Sequence, residues 1–184
     1  MSNQDMSFEL SKYRYQKAIE DLETAIENYK ENRLRAANNR AYYSIFHALR
    51  SVLALENFDS KKHSGIISEF RKRHVKNGDF SKEISDRIET ASIVRNASDY
   101  DDMYVVSRKE TLEQIESAII TTNAVREYLI QRGLENIIQS NVAMPLSGGE
   151  GDDDGDADGT SSFDESAPAE EDIKHDDYDP RTDD

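Results

Sequence analysis

Arg40, Tyr43 and His47 stand at i, i+3 and i+7 of one apolar-periodic segment, a spacing that places them on one face of a helix. A guanidinium gathers phosphate, an imidazole moves protons near neutrality, and a tyrosine brings both a ring and a hydroxyl. They could line a polar cleft; on residue type alone the plainer reading is a core stripe whose polar tips are hydrogen-bonded. Two further clusters follow, Lys62-His63-Ser64-Gly65 and Arg95-Asn96-Ala97-Ser98-Asp99-Tyr100. His63 would open a helix beside Lys61 and Lys62, where the positive helix end and two ammonium groups favour a phosphate; the plainer reading is a capping or surface residue. Arg95 and Asp99, four apart, could form a helix ion pair worth only a few tenths of a kcal/mol. Arg71-Lys72-Arg73-His74 is the densest basic run, readable as a surface for RNA or an acidic partner, or as a solvated helix face.

A fifth pattern lies near the C-terminus. Asp154, Asp156, Asp158 and Glu165 fall at positions 1, 3, 5 and 12 of a calcium-loop pattern, with Gly159 at position 6. Such a loop needs a helix on each side, yet Gly148-Gly149 precedes it and Ser166-Ala-Pro-Ala169 follows. Position 8, usually aliphatic, is Ser161. The match is what an Asp-rich segment produces by chance, so neither metal nor cofactor is expected.

The elements that position these residues are helical. From Phe8 to Tyr29, the residues Tyr15, Ala18, Leu22, Ala25 and Tyr29 recur every three or four positions. Between Arg33 and Glu56 two apolar seams adjoin: Leu34, Ala37, Ala41, Ile45, Ala48 and Val52, then Tyr42, Phe46, Leu49 and Leu53. So broad an arc predicts the helix most enclosed by its neighbours. A shorter helix is predicted over Lys61–Val75, a turn at Asn77-Gly78-Asp79, and a helix over Ser81–Asn96. Ser107 and Glu110 form a capping box that opens a last long helix, closed by Gly133. No segment alternates in the manner of a strand. The fold class is all-α, an up-and-down bundle of about five helices over 1–139, with an acidic tail over 140–184 too poor in apolar residues to pack.

Charge divides along the same line. The 184 residues carry a net −15, and residues 147–184 hold 16 Asp and Glu against Lys174 and Arg181. The helical part is therefore nearly neutral, which neither demands nor forbids a nucleic-acid partner. With no cysteine, disulfides and thiolate metal sites are excluded. No run is long and apolar enough for a membrane span and no signal peptide is evident, so the expected setting is cytoplasmic.

The order Asn39-Arg40-Ala-Tyr42-Tyr43-x-x-Phe46-His47-Ala48, then Lys62-His63-Ser-Gly65, then Arg95-Asn96-x-x-Asp99-Tyr100, resembles the HEPN domain family over about 7–132. It is most similar to the branch found beside minimal nucleotidyltransferases in toxin–antitoxin modules. The resemblance implies a helical bundle that dimerises about the helix bearing Arg95, and a partner nucleotidyltransferase. In catalytic members that helix ends in R-x(4–6)-H, a metal-independent RNase site. Here Arg95 and Asn96 match its start, but Asp99 and Tyr100 stand where the histidine belongs, and no histidine occurs between His74 and His175. A phenol with an ordinary pKa of about 10 is a poor proton shuttle at neutral pH. The resemblance thus implies a nucleotide- or RNA-associated subunit with a degenerate RNase motif. Two alternatives stand beside it: a ribonuclease using Arg95 with His63 or Tyr100, and a non-catalytic adaptor that binds through its acidic tail.

Overall fold

The computed structural model describes residues 3–100 and 104–134, with backbone alone for 98–100. Five α-helices run through them: α1 (Asn3–Lys30), α2 (Leu34–Ala54), α3 (His63–Phe70), α4 (Lys82–Tyr100) and α5 (Arg108–Gln131). Among the described residues there is no strand. The calcium-type loop and the acidic tail lie outside them.

Cross-helix bonds give the directions. Ser11 Oγ donates to the Ser51 carbonyl at 2.8 Å while Arg40 reaches Asp21, so α2 runs back along α1. Tyr15 bonds the Thr122 carbonyl and Arg108 the Tyr29 carbonyl, so α5 also runs antiparallel to α1. Gln114 bonds the Ala91 carbonyl and Arg87 bonds Ser117, setting α4 against α5 in the same way. The result is the up-and-down bundle its periodicities predict.

Fourteen of the 21 residues of α2 are buried, and it packs against all four other helices. Small residues make this possible. Ser11, Ala18 and Ala25 on α1, and Ala37, Ser44 and Ser51 on α2, recur every seven positions and are fully or almost fully buried, letting two backbones approach closely. Tyr15, Leu22, Ile45, Leu49, Leu53, Ile66, Phe70, Ile88, Ile115 and Leu129 fill the space around that seam. Burying each such side chain contributes roughly 1.5–3 kcal/mol.

Helix ends follow local chemistry. Ser107 Oγ accepts from the Glu110 amide at 3.1 Å, the predicted cap. Asn32 and Asn57 take left-handed φ of 59° and 55°, closing α1 and the end of α2, and Gly133 does the same after α5 at 93°. α1 begins at Asn3, earlier than the predicted Phe8, and two further boundaries differ at the motifs. α4 continues through Tyr100 instead of ending at Asn96, so the whole Arg95–Tyr100 motif is helical. The predicted helix over Lys61–Val75 is α3 followed by a π-helical turn, Arg71–Val75, which carries His74 into the core.

Candidate functional site

The central helix presents two neighbouring groups of polar and aromatic side chains. Toward α1, Arg40 donates to Asp21 Oδ1 at 3.0 Å and to Asn39 Oδ1 at 3.2 Å, and its guanidinium lies 5.2 Å from the Tyr43 ring centre. The Tyr43 ring stacks on that of His47, with centres 6.2 Å apart. His47 Nε2 in turn lies 3.7 Å from Asp21 Oδ2. Burial holds the Asp21 carboxyl above its ordinary value; the Arg40 charge and hydrogen bond pull the other way without overcoming it.

Toward α3 and α4, Tyr42 is the hub. Its hydroxyl shares a 3.2 Å hydrogen bond with His63 Nδ1, the donor set by the imidazole tautomer. The His63 ring lies 4.1 Å from that of Phe46 and 5.8 Å from that of Tyr43, centre to centre. Arg95 covers the Tyr42 ring at 5.7 Å and donates to Asn96 Oδ1 at 3.3 Å. A continuous strip therefore crosses α2, from Arg95 through Tyr42, His63, Tyr43 and His47 to Asp21 and Arg40.

His63 reaches this strip because the chain before α3 turns tightly. Ser60 Oγ accepts from the Lys62 amide at 3.2 Å, and a Cβ on Gly65 would stand 2.5 Å from that same oxygen. Gly65 of the Lys-His-Ser-Gly motif is thus a packing requirement that seats the imidazole. The ring faces Tyr42 and Phe46, so His63 is more than the surface cap its position suggests.

Arg40, Tyr43 and His47 meet as their helical spacing grouped them, while His63, from a separate motif, joins them through Tyr42, Tyr43 and Phe46, and Arg95 through Tyr42. Asn96 is exposed on α4 beside Arg95. The side chains of Asp99 and Tyr100 lie outside the described residues, as do Asp154, Asp156, Asp158 and Glu165. Asp21 went unnoticed in the sequence. Its signal was slight: an acid at the margin of the α1 apolar stripe, next to Leu22. The basic run at 71–74 is neutralised in place. Arg71 pairs with Glu89 at 3.2 Å, Lys72 with Glu69 at 3.6 Å, and Arg73 with Glu56 and Glu69 at 2.8 and 2.6 Å. His74 is 1% exposed and bonds Asp79 at 3.0 Å. That run is a structural knot, with little charge left over for RNA.

Among the described residues no group of three or more histidine and carboxylate side chains is arranged to hold a metal ion, and no helix is long and apolar enough to cross a membrane. An antiparallel helical bundle with a polar strip across its most enclosed helix defines the class. Residues 11–134 match the HEPN domain family, and the chain belongs to it. Among relatives, "Putative toxin MJ0142" of Methanocaldococcus jannaschii is 28% identical over 119 residues, 65% of this chain and 81% of that one. "Putative toxin MJ0605" of the same organism is 41% identical over 91 residues, 48% of this chain and 63% of that one. A UPF0332 protein of Thermotoga maritima is 25% identical over 118 residues, 64% and 87% of the two chains.

Proposed function

We propose that this HEPN domain is the toxin-side subunit of a toxin–antitoxin module, that it engages RNA or a nucleotide at the strip across α2, and that a nucleotidyltransferase is its partner. The observation that carries the reading is the seating of a cation at each end of a row of rings, Arg95 over Tyr42 and Arg40 over Tyr43. Tyr43 and His63, the partly exposed rings of the row, can accept bases by stacking above the buried Tyr42 and Phe46, and guanidinium groups accept phosphates, the combination that holds single-stranded nucleic acid. The names of the Methanocaldococcus relatives favour the toxin setting. A homodimer about α4 follows from the family resemblance and fits the exposure of Ile93, 62% open to solvent two residues before Arg95.

With no histidine at the R-x(4–6)-H spacing from Arg95, the usual cleavage is disfavoured. A second reading keeps cleavage and assigns it to Arg95 with His63. Its support is that both side chains contact the one Tyr42 ring, with centres at 5.7 and 5.8 Å. There His63 would move the proton of the attacking 2′-hydroxyl while Arg95 offsets charge on the phosphate. Incubation of the purified chain with RNA separates the two readings. RNA bound intact by the wild type supports the binding subunit; cleavage abolished by both Arg95→Ala and His63→Ala supports the ribonuclease. Co-purification with the product of an adjacent nucleotidyltransferase reading frame tests the partner, and its failure would remove that part of the proposal.

A further inference from the structure

The strip ends at Arg40, and Arg40 also lines a second feature. An open groove of about 660 Å³ lies between α1 and α2, walled by Thr24, Asn28, Arg35, Ala36, Asn39 and Arg40. That size falls within the roughly 300–1,000 Å³ of ligand clefts. Its chemistry is selective. The chain holds 38 Asp and Glu, yet none is among the described residues lining the groove, which offers two guanidinium groups, two amides and a hydroxyl.

The surroundings reinforce the sign. Lys30, Arg33 and Arg35 cluster at the α1–α2 turn. Arg108, at the start of α5, is brought to the same place by bonds to the Tyr29 carbonyl at 3.3 Å and Asn32 Oδ1 at 3.1 Å. Two of the acids in this region are engaged elsewhere: Glu31 pairs with Arg33 at 3.0 Å, and Glu110 accepts the Tyr104 hydroxyl. Asp21 holds Arg40 from the inner side, where its own side chain is 13% exposed, while Arg40 remains 42% exposed toward solvent. The first turn of α2 has no acidic residue and no side-chain cap, so the positive end of a 21-residue helix adds to the same field.

The geometry points to this groove as a binding site for the ribose-phosphate backbone of single-stranded RNA, continuing the track that begins on the rings of α2. This rests on the proposed reading of the strip and deepens it. A base that takes the place of the Arg40 guanidinium on the Tyr43 ring leaves its neighbouring phosphate beside Arg40, and the strand then runs past Asn39 and Asn28 toward Arg35. The amides can both donate to and accept from sugar and base edges, and the exposed guanidinium groups of Arg35, which donates to the Tyr104 carbonyl at 3.0 Å, and of Arg40, held from inside by Asp21, favour a polyanion over a neutral ligand.

Ala36 supplies a test in which stability and binding move in different directions. It is exposed in the first turn of α2, where a carboxylate favours the helix. Ala36→Glu should therefore melt no lower than wild type, while weakening a fluorescein-labelled dodecauridylate by about tenfold at low salt. Ala36→Gln, of equal size and neutral, should bind as wild type does. Arg35→Ala should flatten the dependence of log K on log salt by about 0.7, one phosphate contact on a single strand. Anisotropy with the full chain reads all three. If the RNA binds, Tyr43→Ala weakens it, and neither Ala36→Glu nor Arg35→Ala changes it, the groove is overturned while the strip stands. If the wild type does not bind RNA, groove and strip fail together as an RNA track. An AMP titration followed through the side-chain amide resonances of Asn28 and Asn39 distinguishes the sources. Shifts with AMP but no RNA binding assign the groove to a free nucleotide and overturn the strand.

Discussion

The two oxygens of Asp21 are divided between two residues of α2: Oδ1 accepts from Arg40 at 3.0 Å, and Oδ2 lies 3.7 Å from His47 Nε2. A carboxylate so placed orients the guanidinium but also repels a phosphate arriving at it. Asp21→Asn keeps an acceptor for Arg40 and removes the charge. Low-salt affinity for single-stranded RNA should rise by about threefold, the size of a charge–phosphate repulsion several ångströms apart near the surface. The gain should vanish between about 0.05 M and about 0.5 M salt, as screening shortens. Anisotropy across that range checks it, and an unchanged low-salt affinity would refute the electrostatic role.

Gly65 faces Ser60 at a distance no side chain tolerates, 2.5 Å from a built Cβ to Ser60 Oγ. Gly65→Ala should cost about 1–3 kcal/mol through overpacking and tilt His63 away from Phe46. Ser60→Gly in the same chain should recover part of it, giving a non-zero coupling in the double-mutant cycle. Strictly additive melting shifts would mean the contact is relieved elsewhere.

Asp59 joins two arginines, Arg14 from α1 and Arg50 from α2, the latter through both carboxylate oxygens. Burial pushes its carboxyl up, but the hydrogen bond and charge of Arg50, with Arg14, outweigh it and hold it below its ordinary value. The unfolded chain therefore takes up the proton first as pH falls. The stability from this pair is present above the ordinary carboxylate range and disappears as pH drops through the depressed value. Asp59→Ala should cost about 1–2 kcal/mol near neutrality, less than a fully buried pair because Asp59 is 46% exposed. Its stability should also fall less steeply in acid, as urea titrations at stepped pH would reveal; parallel acid limbs would contradict the assignment.

At the alkaline end the tyrosines act. Burial pushes the Tyr15 phenol from 10.0 up to about 12, and burial with the Glu110 contact does the same for Tyr104. The folded chain keeps protons that the unfolded chain releases, so this stability is complete below about pH 10 and lost as pH rises toward about 12. Tyr15→Phe should cost about 1 kcal/mol at neutral pH for the bond to the Thr122 carbonyl, and should soften the alkaline loss. Chemical denaturation between those two pH values measures both, and a slope equal to wild type would count against Tyr15 as a source.

The bundle was legible because its signals are local. The Ser107–Glu110 cap, the left-handed Gly133 and the seams of α2 each depend on residues within a few positions of one another. The grouping of Arg40, Tyr43 and His47 followed from helical spacing alone. What the sequence withheld depends on how separate helices meet. Asp21 joins the strip only because α1 and α2 cross in one register, and His63 only because Gly65 lets the chain before α3 close on Ser60. The run at 71–74 looked like free positive charge because Glu56 and Glu89 reach it from distant parts of the chain; Glu69, three and four residues before Lys72 and Arg73, was the one partner the sequence could have shown.

The π-helical turn at Arg71–Val75 has a consequence for how this chain tolerates change. Such a turn holds about one residue more than an α-helical turn, so later residues fall behind the α-helical phase by up to about 100°, one residue's rotation, without lengthening the axis much. That phase step points His74 at Phe70, Phe80 and Tyr128 while Arg71 and Arg73 face the carboxylates outside. Indels and point changes here are therefore not equivalent. Replacing Arg71 removes one ion pair and replacing Arg73 two, whereas losing one residue would turn the bond from the Lys76 amide to the Arg71 carbonyl into an α-helical one and re-phase the side chains within the turn itself.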